Sequence, residues 1–150
     1  MEIRDVPYDS DDAVLLTAEV QQEYQRRYGG EGDTAPIVAT EFLAPGGYFA
    51  VAYEDGVPVA MGGWRRHGGT EAEIKRMYVR EAARGRGHAR VVLAHLEQHA
   101  AAAGITRFVL ETGLEQPEAI ALYRSAGYED VPAFGFYKDA PLSVHLGKTL

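Results

Sequence analysis

The chain has 150 residues, 15 Lys and Arg against 22 Asp and Glu for a net charge of −7, and a hydrophobic share of 46%, which is one ordinary core's worth and excludes a disordered or collagen-like chain. It contains no cysteine, so disulfides, cysteine-ligated zinc and any cysteine nucleophile are excluded. The acidic balance argues against binding nucleic acid through phosphates, and the longest stretch free of charged residues, Phe42 to Tyr53, is too short for the ~20 apolar residues of a membrane span.

Met1 leads straight into acidic residues without a basic and apolar leader, so a cytosolic location is expected. Asp9 or Ser10 can cap a first helix carrying Val14, Leu15, Ala18, Gln22 and Gln25 at helical spacing, and Gly29 and Gly30 stop it after Tyr28. Residues 29–46 read as a loop with a short helical turn around Ala39–Leu43. Tyr48–Tyr53 and Val57–Trp64 form a hairpin across Glu54-Asp55-Gly56, with Asp-Gly as its turn chemistry. Glu71–Val79 is a further strand, after which Arg84-Gly85-Arg86-Gly87 opens a long helix with Ala89, Val92, Leu93, Leu96 and Ala100 on one face and Gly104 at its end. Arg107–Thr112 is a short apolar strand, and Pro117–Ala126 is a short helix with Pro in its first turn and Gly127 beyond it. Tyr128–Val131 and Ser143–Leu146 are the last strand candidates. The predicted order is helix, three strands, helix, strand, helix and two strands, a single α/β or α+β domain over residues 1–150 with a central mixed sheet.

Charge is unevenly spread. Residues 1–55 hold twelve acidic and three basic side chains, whereas Lys75 to Arg90 holds six basic ones against Glu81 alone. Within that basic stretch a strand delivers a loop with small residues at 85, 87 and 89, and the loop opens into a helix whose first N–H groups lack helical partners. Such a loop suits an anion: amides and the helix dipole favour a phosphate, glycine admits it closely, and Arg84 and Arg86 add charge. The competing reading is a solvated basic turn. A Walker A loop is excluded by the missing Lys-Ser/Thr end, and a dinucleotide fingerprint is disfavoured by Arg90 and by the three strands that precede the loop.

Arg84-x-x-Gly87-x-Ala89 after a strand resembles the acetyl-CoA pyrophosphate loop of the GNAT superfamily of N-acetyltransferases. Ala119-Ile-Ala-Leu122-Tyr123-Arg-Ser-Ala-Gly127-Tyr128 is similar to that superfamily's Asn-x-x-Ala-x-x-Leu-Tyr-x-x-x-Gly-Phe segment, with one helix and one strand between the two motifs as in the family. The resemblance implies a mostly antiparallel twisted sheet flanked by helices, whose strands ending at Val79 and at Thr112 splay to admit a thioester. It implies acetyl-CoA as acetyl donor, no metal, backbone groups of Met77, Tyr78 and Val79 along the pantetheine arm, and the amides of Arg84, Gly85, Arg86, Gly87, His88 and Ala89 around the pyrophosphate. Gln116 replaces the family's usual Asn and Glu81 its usual Pro, so helix capping and loop entry are expected to differ.

Acetyl transfer to an alkyl amine of pKa about 10.4 needs a group that takes a proton. Glu73 matches a position where some family members carry a glutamate base, and Glu111 is the second strand carboxylate able to face the cleft; a surface ion pair with an arginine is the alternative for Glu73. Tyr123, where the family places a tyrosine beside the sulfur, is protonated at neutral pH and suits the acid that meets the departing thiolate; core packing is its alternative role. The backbone near Met77 to Val79 can polarise the thioester carbonyl.

His95-Leu-Glu-Gln-His99 lacks the glutamate next to the first histidine that a zinc helix needs, so both histidines are expected on the surface, and no Gly-x-Ser-x-Gly elbow supports a serine hydrolase. The acceptor side is expected from Tyr24, Tyr28, Glu41, Phe42, Glu111, Phe134, Phe136 and Tyr137, an aromatic and acidic pocket to which the acidic first 55 residues would steer a cation. The expected reaction is direct transfer from acetyl-CoA to a primary amine of a small molecule or peptide. The alternatives are a non-catalytic acyl-CoA-binding domain and an interaction module using residues 75–90. No nucleic-acid or membrane partner is expected, and a homodimer is left open.

Overall fold

A computed structural model describes all residues, 1–150, as three helices around one seven-stranded sheet. In chain order the elements are β1 (Glu2–Asp5), α1 (Asp11–Tyr28), β2 (Gly47–Glu54), β3 (Val57–Arg66), β4 (Glu71–Val79), α2 (His88–Ala102), β5 (Arg107–Gly113), α3 (Pro117–Ser125), β6 (Glu129–Asp130) and β7 (Ser143–Thr149), with single 3₁₀ turns at Ala39–Phe42 and Glu81–Ala83. Strand order across the sheet is β1-β2-β3-β4-β5-β7-β6. Every neighbouring pair is antiparallel except β4 and β5.

The local chemistry explains most of these boundaries. Ser10 caps α1 by accepting from the Ala13 amide, and Gly29 ends the helix at φ +73°. Asp55 and Gly56, at φ +50° and +79°, turn the chain between β2 and β3, as a two-residue hairpin loop requires. β1 was not foreseen. Three of its four residues are charged and only Ile3 packs on the core, so no alternation marks it; pairing of Glu2 to Asp5 with Tyr53 to Ala50 makes the strand.

One face of the sheet packs α2 and α3 around Trp64, Leu93, Leu96, Phe108, Leu110 and Leu146, and the other packs α1 around Leu16, Val20, Phe42, Phe49, Val51 and Met61. The sheet is split between its two parallel strands. Only Glu71 to Glu73 of β4 pair with β5, opposite Arg107 to Val109. Beyond that point two residues of β4, Arg76 and Met77, oppose Gly62 alone on β3, and Arg76 takes φ +60°. This bulge re-aims β4. β5 meanwhile stays paired with β7 as far as Gly113 opposite Ser143. The two halves diverge, and a cleft crosses the sheet. No helix is long and apolar enough to cross a membrane.

Candidate active site

The loop after β4 presents its backbone, not its arginines. Gly85 and Gly87 both take φ +81°, a conformation that a side chain would strain, with nothing within 4 Å of where a Cβ would stand. The six amides from Gly85 to Arg90 find no acceptor in the protein, and Val91 is the first to bond back, to Gly87 O at 3.2 Å. An open cradle of six unpaired N–H groups at the start of a fifteen-residue helix fits a pyrophosphate. The basic side chains foreseen as helpers are engaged elsewhere: Arg84 donates to Glu23 at 2.6 Å and to Val79 O, and Arg86 donates to Glu54 at 3.2 Å. His88 is buried with Nε2 2.9 Å from Glu54, so only its amide faces the cradle.

Three cavities run in series from this loop. The first, about 370 Å³, is lined by Tyr78, Val79, the loop and α3. It shares Met77, Gln116, Ala119 and Tyr123 with the second, about 300 Å³, which occupies the split between β4 and β5. The second shares Lys75, Glu111 and Tyr137 with a third, about 260 Å³, walled by Glu41, Arg65, His67, Phe134 and Phe136. Tyr123 stands at the first junction and Glu111 at the second.

Tyr123 is 6% exposed, and its hydroxyl is raised in pKa by burial and then by Tyr24, with no hydrogen bond to hold it elsewhere. Its ring packs edge-on against Tyr128 at 5.6 Å, which fixes its position. Burial pushes the Glu111 carboxyl from 4.5 up to about 7; a hydrogen bond from Ser143 at 3.1 Å and the charge of Lys75 oppose the rise, while Asp33 and Glu73 add to it. Such a carboxyl can gain and lose a proton near neutrality. Glu73 lies one cavity further on, held by Arg65 at 3.2 Å with Lys75 at 3.9 Å, the ion-paired arrangement that was its alternative reading.

The side chains grouped from sequence as one acceptor pocket divide between two cavities. Tyr24 and Tyr28 wall the cleft, Glu41, Phe134 and Phe136 wall the third cavity, Glu111 and Tyr137 belong to both, and Phe42 is instead buried in the core beneath α1. Tyr28 reaches over β5 because Gly113 leaves it room: a Cβ at Gly113 would collide with the Tyr28 hydroxyl and lie 2.7 Å from its Cζ. The Tyr28 hydroxyl donates to Gln116 Oε1 at 3.2 Å, so Gln116 leaves α3 without a side-chain cap and braces the cleft wall. Sequence reading missed Asp33, which accepts from Tyr137 at 2.6 Å and from Arg76 at 3.1 Å. Nothing in a Gly-rich loop marked it. Burial alone would raise the Asp33 pKa, but Tyr137, Lys75 and Arg76 prevail and hold it below 3.8. His95 and His99, expected on the surface, are half-buried: His95 Nε2 lies 2.6 Å from the Tyr48 hydroxyl and His99 stacks on the Tyr48 ring at 3.5 Å. No group of three or more His, Asp or Glu side chains is placed to hold a metal ion.

The chain is similar to known acetyltransferases in sequence and in fold. A curated "IAA acetyltransferase" of Azospirillum brasilense is 44% identical over 82 residues, 55% of this chain, and the match spans about half, 54%, of that relative's length. A Klebsiella pneumoniae subsp. pneumoniae structure assigned as an acyl-CoA N-acyltransferase superposes with a TM-score of 0.83 at 27% identity, over 99% of this chain and 97% of that one. A ribosomal-protein-alanine N-acetyltransferase of Brucella melitensis shares the fold with a TM-score of 0.75 at 20% identity, covering 100% of both chains. The sequence profile of the Acetyltransferase (GNAT) family matches residues 15–128, from α1 through both motifs, and the chain belongs to that family.

Proposed function

We propose that this protein is an N-acetyltransferase that passes an acetyl group from acetyl-CoA directly to a primary amine, both held at once. The observation that carries the reading is the series of cavities, with a proton donor at one junction and a proton acceptor at the other. The free amides of Gly85 to Arg90 would hold the pyrophosphate, and the unpaired edge of β4 at Met77 to Val79 would hold the pantetheine arm. Acetyl-CoA, when bound, supplies an activated acyl group on a thiol leaving group.

The residues of this chain do the rest. Glu111, with its pKa near 7, accepts the proton that a primary ammonium must lose before its nitrogen can attack. Tyr123, kept protonated by burial, offers its hydroxyl proton where the sulfur departs, and the second proton that the nitrogen sheds as the amide forms restores it. Arg76 and Asp33, both in the cleft wall, tie the loop after α1 to β4 and so fix the α1 side of the cleft. The geometry favours Glu111 over Glu73 as the base, because Glu111 faces the cleft and Glu73 faces Arg65.

Calorimetric titration with acetyl-CoA and with CoA, followed by thiol release in the presence of an amine panel, tests the reading. One-to-one micromolar binding with amine-dependent release supports it. Binding without release from any amine would leave a non-catalytic acyl-CoA-binding domain, and absence of binding would remove the cofactor site altogether.

A further inference from the structure

Of the six basic residues between Lys75 and Arg90, four are neutralised by acids from the first 54 residues: Arg76 by Asp33, Arg80 by Glu19, Arg84 by Glu23 and Arg86 by Glu54. Arg90 donates to Ser125 at 2.6 Å. Lys75 differs from all of them. It is 8% exposed, and its one ion-pair contact, with Glu73 Oε2 at 3.9 Å, lies beyond hydrogen-bond reach. Arg65 takes the other oxygen of Glu73. Its Nζ makes no hydrogen bond within the protein and is open to the cavities, so its three N–H groups are free for a ligand, and Lys75 lines both the cleft and the third cavity.

We propose that the acceptor is a free amino acid or a small zwitterion like it, with its amine at Glu111 and its carboxylate on Lys75. This rests on the acetyltransferase reading and narrows it. Lys75 and Glu111 share the same two cavities and are electrostatically coupled, so one small molecule carrying both charges satisfies both groups together. A plain alkylamine would bring a second cation beside Lys75 and leave its N–H groups unpaired. A peptide N-terminus would offer an amide carbonyl where the charge is needed, and the chain beyond it would have to leave a cavity of about 260 Å³. One wall of the third cavity, the aromatic side, suits an apolar group on the acceptor, and the opposite walls are charged. Phe134 stands edge-on between His67 and His145 at 5.0 and 5.1 Å, and Phe136 packs edge-on against Tyr137 at 4.9 Å.

Phenylalanine, leucine and glutamine, each as free acid and as its carboxamide, and phenethylamine are assayed by thiol release at pH 8, beside acetyl-CoA titration. The carboxamides carry the less basic amines, so a preference for the free acid cannot come from easier deprotonation. At least one free acid should exceed its carboxamide in kcat/KM by roughly tenfold or more, since a site built for a polar group rejects the analogue lacking it. Lys75→Gln should collapse that ratio to within about threefold of unity, while Lys75→Arg retains part of it. The substrate pairs on the unmodified protein carry the test even if a variant folds poorly. Equal turnover of acids and carboxamides, or release with phenethylamine alone, overturns the inference and leaves the transferase reading standing. Tight acetyl-CoA binding with no turnover of any of the seven overturns the inference and leaves the cofactor site. Failure to bind acetyl-CoA overturns both.

Discussion

Arg76 reaches Asp33 across 3.1 Å from the one strand position whose backbone is left-handed, φ +60°. Both side chains are largely buried, and Arg76 also donates to Tyr8 at 3.2 Å while Asp33 accepts from Tyr137. The bulge that opens the sheet is therefore tied to the loop after α1 and to the segment before β7. A buried charge left alone costs far more than the pair contributes. Asp33→Ala should lower unfolding free energy by about 3 kcal/mol in urea melts at pH 7. The folded pKa of Asp33 is depressed, so its stabilisation is present above the ordinary carboxylate pKa and is lost as pH falls through the lower, folded value. The gap between variant and parent should accordingly shrink in strong acid, and a constant gap across pH would show that the ion pair is not the cause.

Glu111 links the chemistry to pH in the opposite sense. Its folded pKa, about 7, lies above the ordinary 4.5, so the folded state keeps a proton that the unfolded chain releases between those values. Stability from this group is fully present below 4.5 and is lost as pH rises through about 7. Glu111→Gln, which cannot ionise, should melt at a higher temperature than the parent at pH 8 and at nearly the same temperature at pH 4.5. As a base, Glu111 works only when deprotonated, so kcat/KM should rise through an inflection near pH 7 that Glu111→Gln abolishes along with roughly a hundredfold of activity. A gain in stability without loss of turnover would move the base to Glu73 or to water.

Tyr123 can be separated from the cofactor site by one oxygen atom. Its ring packs on Tyr128, and its hydroxyl has no partner to lose. Tyr123→Phe should thus keep the melting temperature and acetyl-CoA affinity and lower kcat by about a hundredfold. Unchanged kcat would leave Tyr123 as a packing residue, and a matching loss of affinity would place its hydroxyl in binding.

The long periodic elements were legible because local chemistry alone decides them: the Ser10 cap, the Asp55-Gly56 turn and the Gly104 stop all stand where the sequence put them. β1 was not legible, since Glu2-Ile3-Arg4-Asp5 carries no strand pattern and owes its form to β2. Charge was informative only in part. Four of the six basic side chains between Lys75 and Arg90 pair with four of the twelve acids in the first 55 residues, so the anion cradle there rests on backbone amides more than on side-chain charge. The competition between Glu73 and Glu111 was equally invisible, because two residues of one type on adjacent strands differ only in their neighbours. Arg65 claims the first, while the second, beyond the last β4–β5 pair, stands in the cleft wall where burial raises its pKa.

That mutual neutralisation makes a prediction about the loop itself. If backbone amides carry the pyrophosphate, removing a loop arginine should matter less than disturbing the backbone. Arg86→Ala breaks only an exposed pair with Glu54, worth at most about 1 kcal/mol, and should change acetyl-CoA affinity by less than about threefold. Gly87→Ala forces a side chain into φ +81°, at a cost of about 1 to 2 kcal/mol, and should weaken binding roughly tenfold as the cradle relaxes. Gly87→Glu adds a like charge against the phosphates and should remove measurable affinity. Calorimetry on the three variants gives the order directly. A larger loss for Arg86→Ala than for Gly87→Ala would mean that the guanidinium leaves Glu54 for the cofactor, and that side-chain charge, not the row of amides, holds the anion.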